Sequence, residues 1–394
     1  MTTAALRTDL VACTRAIDPP ADLLARLGPD GFAWLQDDAG IVTSGVVARV
    51  AARDAAGALA AIEADDEIGM PGTGAIAAGS LPFGSAGDGS LVIPARVTGV
   101  SPDGTAWRTE LAPLVGPRPA PTGPPPSRFD VRGVQGRDHW RRAVDAVLEE
   151  VAAGRLTKAV LAREVTVDAD QRFDARTVLA HLAAASSGCF VYGALSGAAQ
   201  VVGASPELLV LRTGRQVWSQ PMAGTAPREH AAALLASAKD DREHRAVVEA
   251  VVEGLAPHCD ELRAAPAPEV VPFPSVVHLA TEVTGRLCEP APSALELALA
   301  LHPTPAVGGT PRARALDLIE RVEGFDRGRY AGPVGWVDAR GDGEWAVALR
   351  GAELEGTRAR LVAGAGVVAG SDADAEWAET EAKLEPMLRV LIRP

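Results

Sequence analysis

The strand-like runs in the second half of the chain mostly follow one another across short turns, in groups separated by helical patterns. Such runs lie between residues 189 and 219 and again between residues 333 and 368. Strands joined by short turns pair antiparallel, whereas a parallel sheet needs a long crossover between successive strands. The pattern therefore predicts an α+β protein with mainly antiparallel sheets, and it disfavours a Rossmann fold or an α/β barrel.

Helical spacing of apolar residues predicts the helices of the chain. The predicted helices are 138–153, 240–262, 293–301, 311–322 and 374–391. The segment 113–127 is rich in proline, which fits neither a helix interior nor a central strand. We expect it to be a stiff surface connection between an Ala- and Gly-rich N-terminal part and the remainder of the chain.

Charge and composition exclude some classes of protein. The formal net charge is −13, from 38 basic and 51 acidic residues, which disfavours binding to nucleic acid. An anionic substrate would then need a local group of cations, a metal ion or free backbone N–H groups. No apolar run reaches the roughly 18 to 20 residues of a membrane span, and the first residues do not resemble a signal peptide. We expect a cytoplasmic protein without a membrane partner, with free, buried thiols at Cys13, Cys189, Cys259 and Cys288.

Two of the predicted helices carry carboxylates on one face. Asp240 and Glu243 are three residues apart, and Glu376, Glu379 and Lys383 follow one another at i, i+3 and i+7. Carboxylates on facing helices suit Mg²⁺, which takes one or two protein carboxylates and completes its shell with water and an oxygen-rich substrate. On spacing alone, a solvated helix face is the better explanation of either stretch.

Lys158 and Glu207 are candidates for an acid–base pair. Lys158 begins a strand of small apolar residues, and Glu207 follows a proline at the entry to another apolar strand. Burial favours the neutral forms of both residue types, so a buried carboxyl can act as a general acid and a buried lysine as a general base. Arg350 could clamp a carboxylate, and the glycine turns at 223–225 and 364–370 could offer backbone N–H groups. An exposed strand end or an ordinary turn remains the alternative for each.

Ten sequence blocks, in order over residues 135 to 394, resemble the chorismate-binding enzymes: isochorismate, salicylate, anthranilate and aminodeoxychorismate synthases. The blocks include KAVLARE, GASPELLV, QPMAGTAPR, SAKDDREHRAVVEAV and EWAETEAKLEPML. The resemblance implies a two-layer α/β fold like that of anthranilate synthase component I, with an antiparallel β-sandwich core and outer helices. It also implies one compact domain, in which 1–125 is a variable N-terminal part of the sandwich and 126–394 is the chorismate-binding catalytic region.

The resemblance also implies roles for particular residues. Glu243 and Glu379 would bind Mg²⁺, with Asp240 and Glu376 nearby. The residues that would hold the substrate chorismate are Gly224, Thr225, His278, Ala306, Tyr330, Arg350, Gly364, Ala365, Gly366 and Lys383.

Differences within these motifs favour one reaction of the family. Aminodeoxychorismate synthases carry a nucleophilic lysine where this chain has Ala223, and anthranilate synthases typically lack the lysine that matches Lys158. The resemblance therefore implies water as the nucleophile, activated by Lys158, while Glu207 protonates the departing C4 hydroxyl. This is the reaction of an isochorismate synthase, an isomerase that converts chorismate reversibly by adding water at C2.

Two alternatives stay open at this point. HLATEV and HPTPAVGG resemble the isochorismate synthase version of their motifs, but Tyr330 resembles the tyrosine of salicylate synthases, which also eliminate pyruvate. An inactive chorismate-binding partner subunit is the other alternative, although the presence of all the catalytic residue types disfavours it. The resemblance suggests a monomer without a glutamine amidotransferase subunit, and the same site would serve menaquinone or catechol siderophore biosynthesis.

Overall fold

The protein is described here by a computed structural model, which covers residues 10–112, 124–197, 199–273 and 276–392. Residues 113–123 of the proline-rich segment lie outside the described residues, so its prediction as a stiff connection is not tested.

The helices, in chain order, are α1 (Ala55–Ala60), α2 (Arg137–Ala152), α3 (Ala175–Ala185), α4 (Ala231–Ala236), α5 (Ala238–Leu255), α6 (Ala294–Leu301), α7 (Arg312–Glu323) and α8 (Ala373–Ile392). The strands are β1 (Val11–Ala16), β2 (Phe32–Gln36), β3 (Ala39–Ala51), β4 (Glu63–Asp66), β5 (Ile76–Ser80), β6 (Ser90–Val100), β7 (Ala106–Glu110), β8 (Phe129–Gly133), β9 (Lys158–Ala169), β10 (Phe190–Ala194), β11 (Gln200–Ser205), β12 (Leu208–Thr213), β13 (Gln216–Ser219), β14 (Met222–Pro227), β15 (Cys259–Ala264), β16 (Glu269–Pro272), β17 (Val276–Ala280), β18 (Val283–Leu287), β19 (Gly309–Thr310), β20 (Pro333–Asp338), β21 (Gly343–Val347), β22 (Gly351–Glu355) and β23 (Arg358–Val368).

One extensive hydrogen-bonded network joins strands from both ends of the chain. It contains β1 to β13, β15 and β18 to β23, while β14, β17 and β16 form a separate small antiparallel sheet. N-terminal strands pair with later ones: Trp34 of β2 lies opposite Tyr192 of β10, and Gly79 of β5 lies opposite Gly335 of β20. The pairs are antiparallel apart from β1 and β4 among the described strands. The predicted α+β class with mainly antiparallel sheets is confirmed.

The helices pack on the outside of these strands. Helix α8 packs on β23, α7 on β9, α6 on β12 and α5 on the small sheet at β14. Helix α6 begins with a capping box, in which Ser293 and Glu296 satisfy each other's backbone N–H groups. This packing brings the two acidic helices, α5 and α8, to the same end of the β9–β23 pair.

The predicted helix 240–262 is too long at its C-terminal end. Helix α5 ends at Leu255, and the chain continues through a short 3-10 turn into strand β15. The reason is Pro257, which has no N–H group to donate the next helical hydrogen bond. The other predicted helices agree with the structure to within one or two residues.

The structure bears on the predictions about membrane spans and about the cysteines. In the described part of the chain, no helix combines the length and the apolar character needed to cross a membrane. The cysteines are free thiols as predicted, but only Cys189 among them is buried, because Cys13, Cys259 and Cys288 are partly exposed.

Candidate active site

A polar cavity lies where the end of the β9–β23 pair meets helices α5 and α8, the turn after β11 and the small sheet. Fifteen of the sequence-predicted site residues line it: Lys158, Glu207, Gly224, Thr225, Asp240, Glu243, His278, Ala306, Tyr330, Arg350, Gly364, Gly366, Glu376, Glu379 and Lys383. They come from distant parts of the sequence, so the sheet and the two acidic helices assemble the site between them.

Ala365 is the predicted substrate-binding residue that the structure places elsewhere. It is fully buried in an apolar cluster with Trp140 and Leu161. The reason is the alternation of side chains along a strand: Gly364 and Gly366 lie on the cavity side of β23, so the residue between them points to the opposite face. The side chain of Ala365 therefore belongs to the core, and the contact of its backbone N–H group with the substrate stays a prediction.

Lys158 forms a buried ion pair at the start of β9. The residue is 5% exposed, and its Nζ donates to Oε1 of Glu243 on α5 at 2.7 Å. Gly366 on the paired strand leaves room for this contact, because a Cβ there would lie 2.8 Å from Lys158 Cε and 3.2 Å from Glu243 Oε1. The lysine is thus held inside the cavity instead of at a solvated strand end.

Glu207 is buried in the turn between β11 and β12. Its backbone is fixed on both sides, since its N–H donates to Ser205 Oγ at 3.2 Å and its carbonyl accepts from the Val347 N–H at 3.1 Å. Burial raises the pKa of the Glu207 carboxyl to about 7, and this effect outweighs the opposing charges of Lys158 and Lys383. A substantial fraction of the Glu207 side chains is therefore protonated at neutral pH, as a general acid requires.

The carboxylates of α8 have partners within the cavity wall. Lys383 Nζ lies 2.5 Å from Glu379 Oε1 and donates to the Gly364 carbonyl at 2.9 Å. Glu376 accepts a hydrogen bond of 2.8 Å from the hydroxyl of Ser371, in the turn before the helix. Lys383 thereby connects the acidic face of α8 to β23.

The donor set fits a hard divalent cation. Asp240 and Glu243 on α5 and Glu376 and Glu379 on α8 all line the cavity and offer only oxygen atoms, the ligands that Mg²⁺ prefers. Over the described ranges, no three or more Asp, Glu, His or Cys side chains are already grouped as a metal site. Mg²⁺ needs only one or two protein carboxylates, so such a group is not required.

Other residues that line the cavity are cationic or uncharged. Arg350 is partly buried. No carboxylate of the described residues lies within ion-pair distance of it, although the charge of Glu379 acts on it and favours its charged form. Nδ1 of His278 lies 2.9 Å from Thr225 Oγ1, and burial, together with Arg350 and Lys383, lowers the pKa of His278 to about 3. Burial also raises the pKa of Tyr330 to about 12. The histidine and the tyrosine are therefore uncharged near pH 7, and Arg350 is left to face an anion.

The local backbone conformation requires glycine at position 224. Gly224 has a φ of 79° at a break in the register between β14 and β17, where a bulge turns the strand. A Cβ at this position would lie 3.4 Å from the Asp240 side chain, an ordinary contact distance, so the positive φ and not a lack of space is the reason for glycine.

Sequence reasoning missed the apolar part of the cavity lining. The missed residues are Val160, Pro206, Met222, Val307, Leu349, Val362 and Ala363. The two-residue period of strands could have found Val160 from Lys158 and Val362 from Gly364. Ala363 lies in the same strand but on the opposite parity to Gly364, so the period does not find it. The others lie in turns or next to the bulge of β14, where no period indicates which way a side chain points.

Comparison with known proteins decides the family of this chain. The family described as chorismate binding enzyme matches residues 117–392. The chain belongs to the chorismate-binding enzymes. The matched residues include every element that lines the cavity, so the cavity is the candidate site of a chorismate-binding enzyme.

Several members of the chorismate-binding family are similar to the chain. It is 41% identical over 278 residues to isochorismate synthase DhbC of Bacillus subtilis, covering 67% of this chain and 70% of that protein. It is 38% identical over 248 residues to isochorismate synthase EntC of Escherichia coli, covering 61% and 63%. The solved structure of MenF, the menaquinone-specific isochorismate synthase from Escherichia coli, has a TM-score of 0.83 at 24% identity and covers 98% of this chain and 95% of that one. This last likeness supports the fold.

Proposed function

We propose that the protein is an isochorismate synthase, which converts chorismate to isochorismate reversibly by adding water at C2 and releasing the C4 hydroxyl. The observation that carries the proposal is the meeting of Lys158 and Glu207 in one cavity. A reaction of this kind needs a base at one carbon and an acid at another. Similarity to proteins named isochorismate synthases, at 41% and 38% identity, supports the same reaction.

We assign binding of the substrate to Arg350, Lys383 and the uncharged residues near them in the cavity. Chorismate carries two carboxylates, and Arg350, which lacks an ion-pair partner among the described carboxylates, would bind one of them. Lys383 and the backbone of Gly364 and Gly366 would add further contacts, while Thr225, His278, Ala306 and Tyr330 line the ring site. Because His278 and Tyr330 are neutral, they can donate or accept hydrogen bonds without repelling the substrate.

Proton transfer is assigned to Lys158 and Glu207. Lys158 would take a proton from water as its oxygen bonds to C2, the double bonds would shift, and Glu207 would give its proton to the oxygen that leaves C4. With a pKa of about 7, Glu207 can both donate and recover a proton near neutral pH. This property suits a reaction that runs in both directions.

We propose Glu243 and Glu379 as ligands of Mg²⁺, with Asp240 and Glu376 holding water around it. When bound, the ion supplies positive charge for a carboxylate of the substrate. Lys158 donates to Glu243 at 2.7 Å, so the lysine assigned as the base adjoins a proposed ligand of the ion.

Incubation of the purified protein with chorismate and Mg²⁺, followed by chromatography of the products, tests the proposal. Isochorismate as the main product would support it. Salicylate and pyruvate as the main products would favour a salicylate synthase, for which Tyr330 in the cavity lining is the supporting observation. Absence of turnover together with tight chorismate binding would favour an inactive partner subunit.

A further inference from the structure

Arg350 has an unusual backbone conformation for a substrate-binding residue. Its φ is 51°, in the left-handed region that residues other than glycine rarely adopt. Such conformations persist only where surrounding contacts hold them, and they are often found at functional sites. The contacts that hold this corner of the chain therefore control where the guanidinium points.

One of these contacts comes from Tyr192, outside the cavity lining. Tyr192 is 1% exposed, and its hydroxyl donates to the carbonyl of Leu349 at 2.9 Å. Leu349 lines the cavity and immediately precedes Arg350. On the other side of the corner, the Arg350 carbonyl accepts from the Ala204 N–H at 3.3 Å.

The strand register shows how Tyr192 reaches this carbonyl. Tyr192 lies opposite Gly203 on β11, and Gly203 lies opposite Gly351 on β22. The two strands next to the tyrosine therefore both have a glycine at this level. A Cβ at either glycine would collide with the tyrosine hydroxyl. The two neighbouring strands therefore leave a channel that the ring occupies, and the channel ends at the Leu349 carbonyl.

We propose that Tyr192 is a positioning residue for substrate binding, which fixes the Leu349–Arg350 corner so that Arg350 faces the cavity. The inference rests on the proposed function, in which Arg350 binds a substrate carboxylate. A buried tyrosine must place its hydroxyl somewhere, so a purely structural role is the competing explanation. The two explanations differ in whether substrate affinity changes when only the hydroxyl oxygen is removed.

The test is Tyr192→Phe, with Ser219→Ala as the matched control. Ser219 is also 1% exposed, and its hydroxyl donates to the Leu209 carbonyl at 2.7 Å, but it does not line the cavity. We expect Tyr192→Phe to raise KM for chorismate about five- to tenfold with kcat changed less than twofold, since one hydrogen bond to a backbone carbonyl is lost. Ser219→Ala should leave both constants unchanged. An unchanged KM in Tyr192→Phe, or an equal change in the control, would overturn the inference.

Hydrogen exchange separates this inference from the proposed function. The Ala204 amide, which donates to the Arg350 carbonyl, should exchange faster in Tyr192→Phe than in the wild type and in Ser219→Ala. If the wild-type protein does not convert chorismate, the proposed function fails, and this measurement still decides whether Tyr192 holds the corner. Unchanged exchange of Ala204 in a folded Tyr192→Phe variant would contradict the positioning role.

Discussion

Buried charges have fewer protein partners in the cavity than in a neighbouring ion pair. Arg327 and Glu323 are each 3% exposed and joined by hydrogen bonds of 2.6 and 2.9 Å. Arg327 also donates to the carbonyls of Val160 and Val307 at 2.7 Å, and Glu323 accepts from the Ala162 N–H at 2.7 Å. Each charge in this pair has its own protein partners, so the pair connects β9, α7 and the loop before β19.

The cavity lies on the other side of Val160, and its charges are satisfied less completely. Arg350 has no ion pair with a described carboxylate. Burial raises the pKa of the Glu207 carboxyl, because its charged form lacks sufficient partners. Incomplete partnering of buried charge indicates a place where a ligand supplies the missing partner, whereas complete partnering indicates a structural role.

Lys158→Ala should have the largest effect, a loss of about 10²- to 10⁴-fold in kcat, the usual contribution of a general base. Lys158→Arg should be almost as inactive, because an arginine keeps the positive charge but does not give up its proton. Steady-state kinetics with chorismate and circular dichroism of both variants provide the check. Near-normal rates in either variant would remove Lys158 from its assigned role.

Arg327→Met and Arg350→Met should differ in their effect on the free energy of unfolding. Loss of Arg327 leaves Glu323 buried without its partner and should lower the free energy of unfolding by about 3 to 5 kcal/mol. Arg350→Met removes a charge without an ion-pair partner among the described residues, so its effect on stability should be below about 1 kcal/mol. Urea unfolding of both variants measures the difference, and similar losses would contradict the comparison.

Glu207→Gln should stabilise the folded protein at pH 8 by about 3 kcal/mol. The pKa of Glu207 rises from 4.5 to about 7 on folding, so the folded state binds more protons in this range. Wild-type stability therefore falls as pH increases from the unfolded pKa through the folded one, a loss that glutamine avoids. The gain should vanish below about pH 4.5, where the carboxyl is protonated in both states. Unfolding curves at pH 4, 6 and 8 test this, and a pH-independent difference would argue against a raised pKa.

Glu379→Gln should weaken the apparent affinity for Mg²⁺ at least tenfold, since an amide is a poorer ligand than a carboxylate. Glu385→Gln is the matched control, because Glu385 lies on the same helix in an exposed ion pair with Arg389. Calorimetric titration with Mg²⁺, without substrate, compares the two variants with the wild type. Equal affinities in both variants would exclude Glu379 as a ligand.

Much of the fold class and the approximate location of the site could be predicted from the sequence. Strand-like runs joined by short turns indicated antiparallel sheets, and the i, i+3 spacing of carboxylates placed Asp240 and Glu243 on one face of α5. Ala365 shows the limit, because the motif identifies a segment but only the pairing of β23 with β9 decides which residues face the cavity.

Long-range pairing could not be predicted from the sequence. The contacts of β2 with β10 and of β5 with β20 join parts of the chain that carry no pattern relating them. The same holds for Tyr192 and for the partners of Arg327, since the sequence does not show which backbone carbonyl a side chain will reach. On the basis of these strand pairings we propose that residues 1–125 and 126–394 form one structural domain.

Oxygen-18-labelled water shows whether water activated in this cavity adds to chorismate. The protein is incubated in this solvent with unlabelled chorismate and Mg²⁺, and the products are analysed by mass spectrometry. We expect one labelled oxygen at C2 of isochorismate, and label at C4 of recovered chorismate as the reaction reverses. Isochorismate without label would show that the original hydroxyl moves within the substrate, which would contradict the roles given to Lys158 and Glu207.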